Sequence, residues 1–125
     1  MIFDTDILIW VQRGNTKAAR LIEQENTRLL SIQSYMELMQ GAQSRQQQLY
    51  SQRFIRDFNF TTLPLSENIG HRAAIYVDEY ALSHGLRAAD ALIAATATEN
   101  HMTLCTSNGK HFRMIKDLDI HLFKP

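Results

Sequence analysis

The tightest constraint on this chain lies in its first ten residues, Met1-Ile2-Phe3-Asp4-Thr5-Asp6-Ile7-Leu8-Ile9-Trp10. Apolar runs stand on both sides of the acids, which predicts that the segment lies in the core and carries Asp4 with it. An unpaired carboxylate is prohibitively costly to move out of water. Asp4 therefore asks for a cation, and the rest of the sequence has to supply the groups that hold the cation with it.

A chain of 125 residues is expected to form one domain, residues 1–125, burying roughly two-thirds of its unfolded surface. Thirteen basic residues balance thirteen acidic ones, so no global field draws in a polyanion. Contact with nucleic acid would need positive charge supplied locally. Cys105 is the only cysteine, which excludes an internal disulfide and a cysteine-based zinc site. No basic region precedes an apolar one near the start, and nothing approaches the ~20 apolar residues of a membrane span. A cytoplasmic protein with no membrane contact is expected.

Short β-like runs alternate with longer helical ones, which predicts an α/β fold with a short, mainly parallel central sheet flanked by helices. Strands are expected at Ile2 to Asp4, Arg28 to Ser31, Thr61 to Leu63, Thr103 to Cys105 and Asp119 to Phe123. Thr5 is expected to cap a short helix. Thr16 to Gln24 has Ala18, Leu21 and Ile22 at helical spacing. Ser34-Tyr35-Met36-Glu37 matches a capping box opening a helix that ends at Gly41. Ser44 to Phe58 carries an aromatic stripe of Tyr50, Phe54 and Phe58, suited to core packing or to a groove for a partner helix. Ser66 caps a helix with Ile69, Ala73, Tyr76, Val77 and Tyr80 on one face, closed by Gly85. Ala88 to Asn100 is apolar almost all round, as only a helix buried on several sides can be.

Three acids sit beside apolar residues at strand-to-helix transitions: Asp4, Glu37 and Asp90. In open α/β sheets, ligands bind in the crevice beyond the carboxyl ends of the strands. Asn108, after the fourth strand, would reach the same edge. Each has a structural role open to it as well. Asp4 or Asp6 suits a helix cap, Glu37 the return half of a capping box, Asp90 the first turn of a helix, and Asn108-Gly109 a turn. Their joint placement is what favours a site.

Four stretches carry a family resemblance. Ile2-Phe3-Asp4-Thr5-Asp6-Ile7-Leu8-Ile9 resembles the opening motif of a PIN domain, and Ser34-Tyr35-Met36-Glu37-Leu38-Met39-Gln40-Gly41 its second. Gly85 to Ala97, containing Ala89-Asp90-Ala91, resembles the third, and Thr106-Ser107-Asn108-Gly109-Lys110-His111-Phe112 the fourth. The motifs stand in family order, and the chain's size is similar to that of VapC-like toxins of type II toxin–antitoxin pairs. The resemblance implies a Rossmann-like three-layer fold and a metal-dependent endoribonuclease leaving a 5′-phosphate and a 3′-hydroxyl. It also implies Asp4, Glu37 and Asp90 as ligands of Mg²⁺ or Mn²⁺, a homodimer, and a cognate antitoxin protein. Asn108 falls where many members have a fourth acid, so the fourth position lacks a charge here.

Hard oxygen ligands suit Mg²⁺ and Mn²⁺, and clustered carboxylates alone would repel an RNA phosphodiester. Thr5, Asp6 and Thr106 are candidates to support the ligands. Arg87, Lys110, Arg13 and Lys17 are candidates to meet the RNA backbone, and His111 more plausibly packs or caps the fourth motif than acts as a base. Two other readings compete. A PIN-like module that binds RNA or protein without cutting would fit Asn108. A phosphoacceptor domain would want adjacent acids at the first strand end and a later strand-end lysine, which the chain lacks.

Overall fold

The computed structural model describes residues 1–125. Five strands, β1 (Ile2–Phe3), β2 (Leu29–Ser31), β3 (Thr61–Leu63), β4 (Leu104–Thr106) and β5 (Ile120–Leu122), form one sheet. The order across it is β3-β2-β1-β4-β5 and every pairing is parallel. Helices α1 (Thr5–Gln12) and α2 (Thr16–Gln24) join β1 to β2, and α3 (Ile32–Gly41) and α4 (Arg45–Asp57) join β2 to β3. Helices α5 (Glu67–His84) and α6 (Ala88–Glu99) lead to β4, and the single turn α7 (Gly109–Phe112) leads towards β5. From β1 the chain works outward to β3 on one side, then returns to add β4 on the other. The gap between β1 and β4 is therefore the switch point where a crevice opens.

Alternation along the strands divides the core into two layers, because successive side chains point to opposite faces. Ile2 and Leu104 pack with α5, α6 and the Phe112–Leu118 segment. Phe3, Leu30 and Cys105 pack with α1, α2, α3 and Ile55 of α4. Both layers are apolar at the centre, with Ile2, Phe3, Ile7, Ile93, Leu104 and Phe112 almost wholly buried. Helix α6 buries Ala91 and Ile93 through Ala97, as its all-round apolar pattern requires. Ile69, Ala73 and Tyr76 of α5 are buried against the same layer, and Gly85 ends the helix at φ +69°. Phe54 and Phe58 pack on each other at 4.5 Å and join the second layer, while Tyr50 stays exposed. The aromatic stripe is thus mostly core.

At the edge of the α5–α6 layer, Arg72 pairs with Glu99 and, at 2.7 Å, with Asp117. The Tyr76 hydroxyl bridges Thr98 (3.1 Å) and Asp117 (3.0 Å). These bonds tie α5 and α6 to the loop before β5 and mark the end of the layer.

Several sequence expectations shift by a residue or more, two of them with consequences. Helix α1 is capped by Asp4, whose carboxylate accepts from the Thr5 amide, so Thr5 is the first helical residue and not the cap. Helix α3 begins three residues early: Ser31 caps it by accepting from the Ser34 amide, and Ser34-x-x-Glu37 is not a capping box. The earlier start leaves both Ser34 and Glu37 free for other partners. β1 ends at Phe3 because Asp4 already turns into the helix, and β4 runs one residue later than expected, to Thr106.

Candidate active site

β1 is so short that Asp4 leaves the sheet at once, and the backbone holds it there: its N–H donates to the Cys105 carbonyl at 2.8 Å. The side chain is 6% exposed and fully engaged. Oδ1 accepts from the Thr5 amide at 2.8 Å, and Oδ2 accepts from the Thr106 hydroxyl at 2.8 Å. Thr106 Oγ1 in turn accepts from the Asn108 amide at 3.0 Å. The end of β4 therefore grips the acid that ends β1, across the switch point.

Glu37 arrives from α3. Thr5 Oγ1 lies 3.3 Å from Glu37 Oε1 and 2.9 Å from Ser34 Oγ, within donating distance of both. Ser34 is fully buried and its own amide is held by Ser31 at 3.0 Å. A line of hydroxyls thus runs from the cap of α3 to the carboxylate one turn on.

Asp90 stands in the first turn of α6, whose cap, Arg87, makes no side-chain capping bond. Its Oδ2 lies 3.5 Å from His111 Nδ1. Asp6 is held from the other side: Oδ2 accepts from the Ser107 amide at 2.9 Å, the Ser107 hydroxyl, and Asn108 Nδ2 at 3.1 Å. Trp10 Nε1 donates to Ser107 Oγ at 3.3 Å. The second oxygen of Asp6 is buried with no partner, alone among the buried side-chain polar atoms of the chain.

The carboxylates act on one another. Burial, then the charge of Asp6, pushes Asp4 up to about 8, with Asp90 adding to the rise and Thr106 and Thr5 opposing it. Burial raises Glu37, with Asp90 adding and the Thr5 bond opposing. Burial also raises Asp90, with Asp6 adding, against the lowering effect of His111 and Arg87. Four acids sharing one partly desolvated corner form a negative field that no lysine or arginine bond neutralises.

The architecture and motif order now meet an independent finding: the PIN-domain family model matches residues 1–118. The chain belongs to the PIN-domain family. No curated protein matches it closely. Among solved structures, a chain of a toxin–antitoxin complex from Klebsiella pneumoniae is 29% identical, covers 94% of this chain and 93% of its own, and superposes with a TM-score of 0.78. A chain of VapBC2 from Rickettsia felis, bound to a DNA fragment from its promoter, is 21% identical over 99% of this chain and 100% of its own, with a TM-score of 0.79. VapBC-1 from nontypeable Haemophilus influenzae gives 24% identity, 98% coverage of both chains and a TM-score of 0.77. These last two establish the fold alone.

Within this PIN domain the sequence-predicted residues do not all converge. Asp4, Glu37, Asp90 and Asp6 share the switch-point corner, with Thr5 and Thr106 bonded to the acids. Asn108 is present, but its amide nitrogen is committed to Asp6. A carboxylate can only accept, so this orientation of the amide is forced. Arg87 and His111 act on Asp90, and Arg13 lies in a groove that includes Glu37. Lys17 does not join them; it lines a separate groove with Arg20, His121 and Lys124. Ser34 and Ser107 were missed by the sequence reading. Ser34 reads as a cap that the helix does not use, and Ser107 carries no signal of its own beside the Asn108-Gly109 turn.

No three Asp, Glu, His or Cys side chains of the PIN domain close into a ready ligand set. The donor chemistry still fits a hydrated hard cation. Mg²⁺ keeps several of its waters and takes one or two carboxylates directly, unlike the closed cages built for zinc. Positive charge bound in this corner would relieve the mutual repulsion of the acids.

Proposed function

We propose that this PIN domain is a Mg²⁺- or Mn²⁺-dependent endoribonuclease and the toxin of a toxin–antitoxin pair. The observation that carries the reading is the meeting of Asp4, Glu37 and Asp90, from three separate stretches, in one partly buried corner where Asp90 raises both of the others. Asp4 and Asp90 would hold the cation directly, and Glu37 directly or through water. Bound there, the ion supplies positive charge to the phosphodiester and acidity to an attacking water.

The protein's own groups do the positioning. Thr106 and the Thr5 amide fix both oxygens of Asp4, so its orientation survives deprotonation. The Thr5 hydroxyl steadies Glu37. His111 and Arg87 offset part of the negative field at Asp90. Arg13, Arg87 and Lys110 would meet the RNA backbone, a role that positions the strand without reading it. Asp6, tied to Ser107 and Asn108, supports this wall of the site.

The toxin role is supported by likeness to a chain of a toxin–antitoxin complex; an antitoxin protein is the implied partner. A homodimer is part of the same reading. Ile75 and Leu82, seven residues apart on α5 and exposed, offer apolar surface for it. No helix is long and apolar enough to cross a membrane.

The test is incubation of RNA with the wild-type protein and with Asp90→Asn, in Mg²⁺ or Mn²⁺ and in chelator. Cleavage by the wild type alone, and only with the cation, is expected. Cleavage in chelator would remove the metal mechanism. Intact RNA in every lane, with RNA still bound, would instead make the chain a binding module.

A further inference from the structure

Beside the acid corner lies a groove of about 330 Å³ lined by Ile9, Gln12, Arg13, Glu37, Gln43 and Gln47, among others. It has the volume of a nucleotide and begins at a residue assigned above to the metal. Its polar groups are already arranged. Gln12 Nε2 donates to the hydroxyl of the buried Ser51, which fixes the amide and leaves its Oε1 as a free acceptor. Gln47 Oε1 accepts from the Gln43 amide at 2.7 Å, which fixes that side chain and leaves its Nε2 as a free donor. Arg13 makes no ion pair and lies over the Trp10 ring at 5.6 Å. One oriented acceptor, one oriented donor and one unpaired cation thus share a groove whose only acid is Glu37.

We propose that this groove is a nucleotide subsite that reads one base of the RNA next to the scissile bond. Arg13 takes the phosphate, and the Gln12 and Gln47 amides take the base edge. The inference rests on the endoribonuclease reading for its substrate. Unpaired bases are read on their edges by such amides, and the pairing edges of adenine and cytosine run donor then acceptor where those of guanine and uracil run acceptor then donor. A fixed acceptor–donor pair therefore ranks the bases. Amides held by the protein before the ligand arrives avoid the entropy of ordering them on binding.

Two variants separate the roles, both at surface side chains whose loss leaves the core intact. Cleavage of an RNA pool randomised around the scissile bond is compared for the wild type, Gln47→Ala and Arg13→Ala. In parallel, the four ribonucleoside 5′-monophosphates are titrated in Mg²⁺ against Trp10 fluorescence, which is specific because Trp10 is the sole tryptophan. The wild type should show a base preference at one position. Gln47→Ala should flatten it by roughly tenfold, the worth of one base-edge contact, while Arg13→Ala weakens all four bases alike.

An unchanged base preference in Gln47→Ala, with cleavage intact, overturns the subsite and leaves the nuclease standing. Base-dependent quenching that Gln47→Ala abolishes, in a protein that cuts no RNA, keeps the subsite and removes the nuclease. If both variants leave RNA and nucleotides unaffected but weaken a protein partner's hold, the groove belongs to that partner and the proposal is wrong.

Discussion

Replacing Asp4 by Asn should stabilise the cation-free protein at neutral pH, although Asp4 belongs to the proposed machinery. In the folded chain its carboxyl is held up to about 8 against an ordinary 3.8. Between those values the folded state keeps a proton that the unfolded state has released. Stability tied to Asp4 is therefore complete below the unfolded value and is lost as pH rises through the folded one. The loss runs at ~1.4 kcal/mol per pH unit, or about 4 kcal/mol by pH 7.

An amide removes that penalty and caps the helix as well as Asp does. It puts an amide NH2 where one accepting oxygen stood and so sacrifices the bond from Thr106, worth ~1 kcal/mol. The net expectation is a gain of about 3 kcal/mol at pH 7 and a loss of ~1 kcal/mol near pH 3, with the two stability curves crossing between. Chemical denaturation of both proteins in chelator, followed across this range, measures it directly. Parallel curves, or a variant that is less stable throughout, would refute the reasoning that burial and neighbouring acids hold Asp4 high. Adding Mn²⁺ should narrow the gap by stabilising the wild type alone, as any ligand of the folded state does.

Three further outcomes follow from particular contacts. Asn108→Asp sets a second carboxylate against Asp6 Oδ2 in place of an amide donor at 3.1 Å, so it should cost roughly 1 kcal/mol in chelator and add a second, weaker step to a Mn²⁺ titration. Thr5→Val keeps the shape at the start of α1 but removes the hydroxyl between Ser34 and Glu37; cation affinity should fall about 10–100-fold, as for other groups that orient a ligand, with the circular dichroism spectrum unchanged. Gly85→Ala forces a Cβ into left-handed backbone at φ +69° and should lower stability by about 1 kcal/mol, read as a lower melting temperature with the same cation affinity.

Much of this arrangement was legible in the sequence because burial and charge conflict there so plainly. Asp4 and Asp90 are acids set among apolar residues, and the all-round apolar helix around Asp90 can only be core. The alternation of strand and helix gave the layers, and the parallel order followed from the helical connections. What could not be read was local hydrogen-bond choice. Ser34 and Glu37 fit a capping box as well as any pair, yet Ser31 lies three residues earlier and takes the cap, because β2 ends there. Thr5 has the residue type of a cap but loses the position to Asp4. Lys17 is close in sequence to Arg13, but Gly14 turns the chain at φ +83° and α2 carries Lys17 to another face. The two glutamine amides of the groove carry no motif; only the partners Ser51 and Gln43 make them distinctive.

The central claim is that the switch-point acids form one cation seat. Titration of Mn²⁺ by calorimetry near pH 8, where Asp4 is substantially ionised, tests it most directly, using the wild type, Asp4→Asn and Asp90→Asn. A binding step in the wild type that disappears in both variants, while each stays folded, is the expected result. Equal Mn²⁺ binding in all three proteins would contradict it.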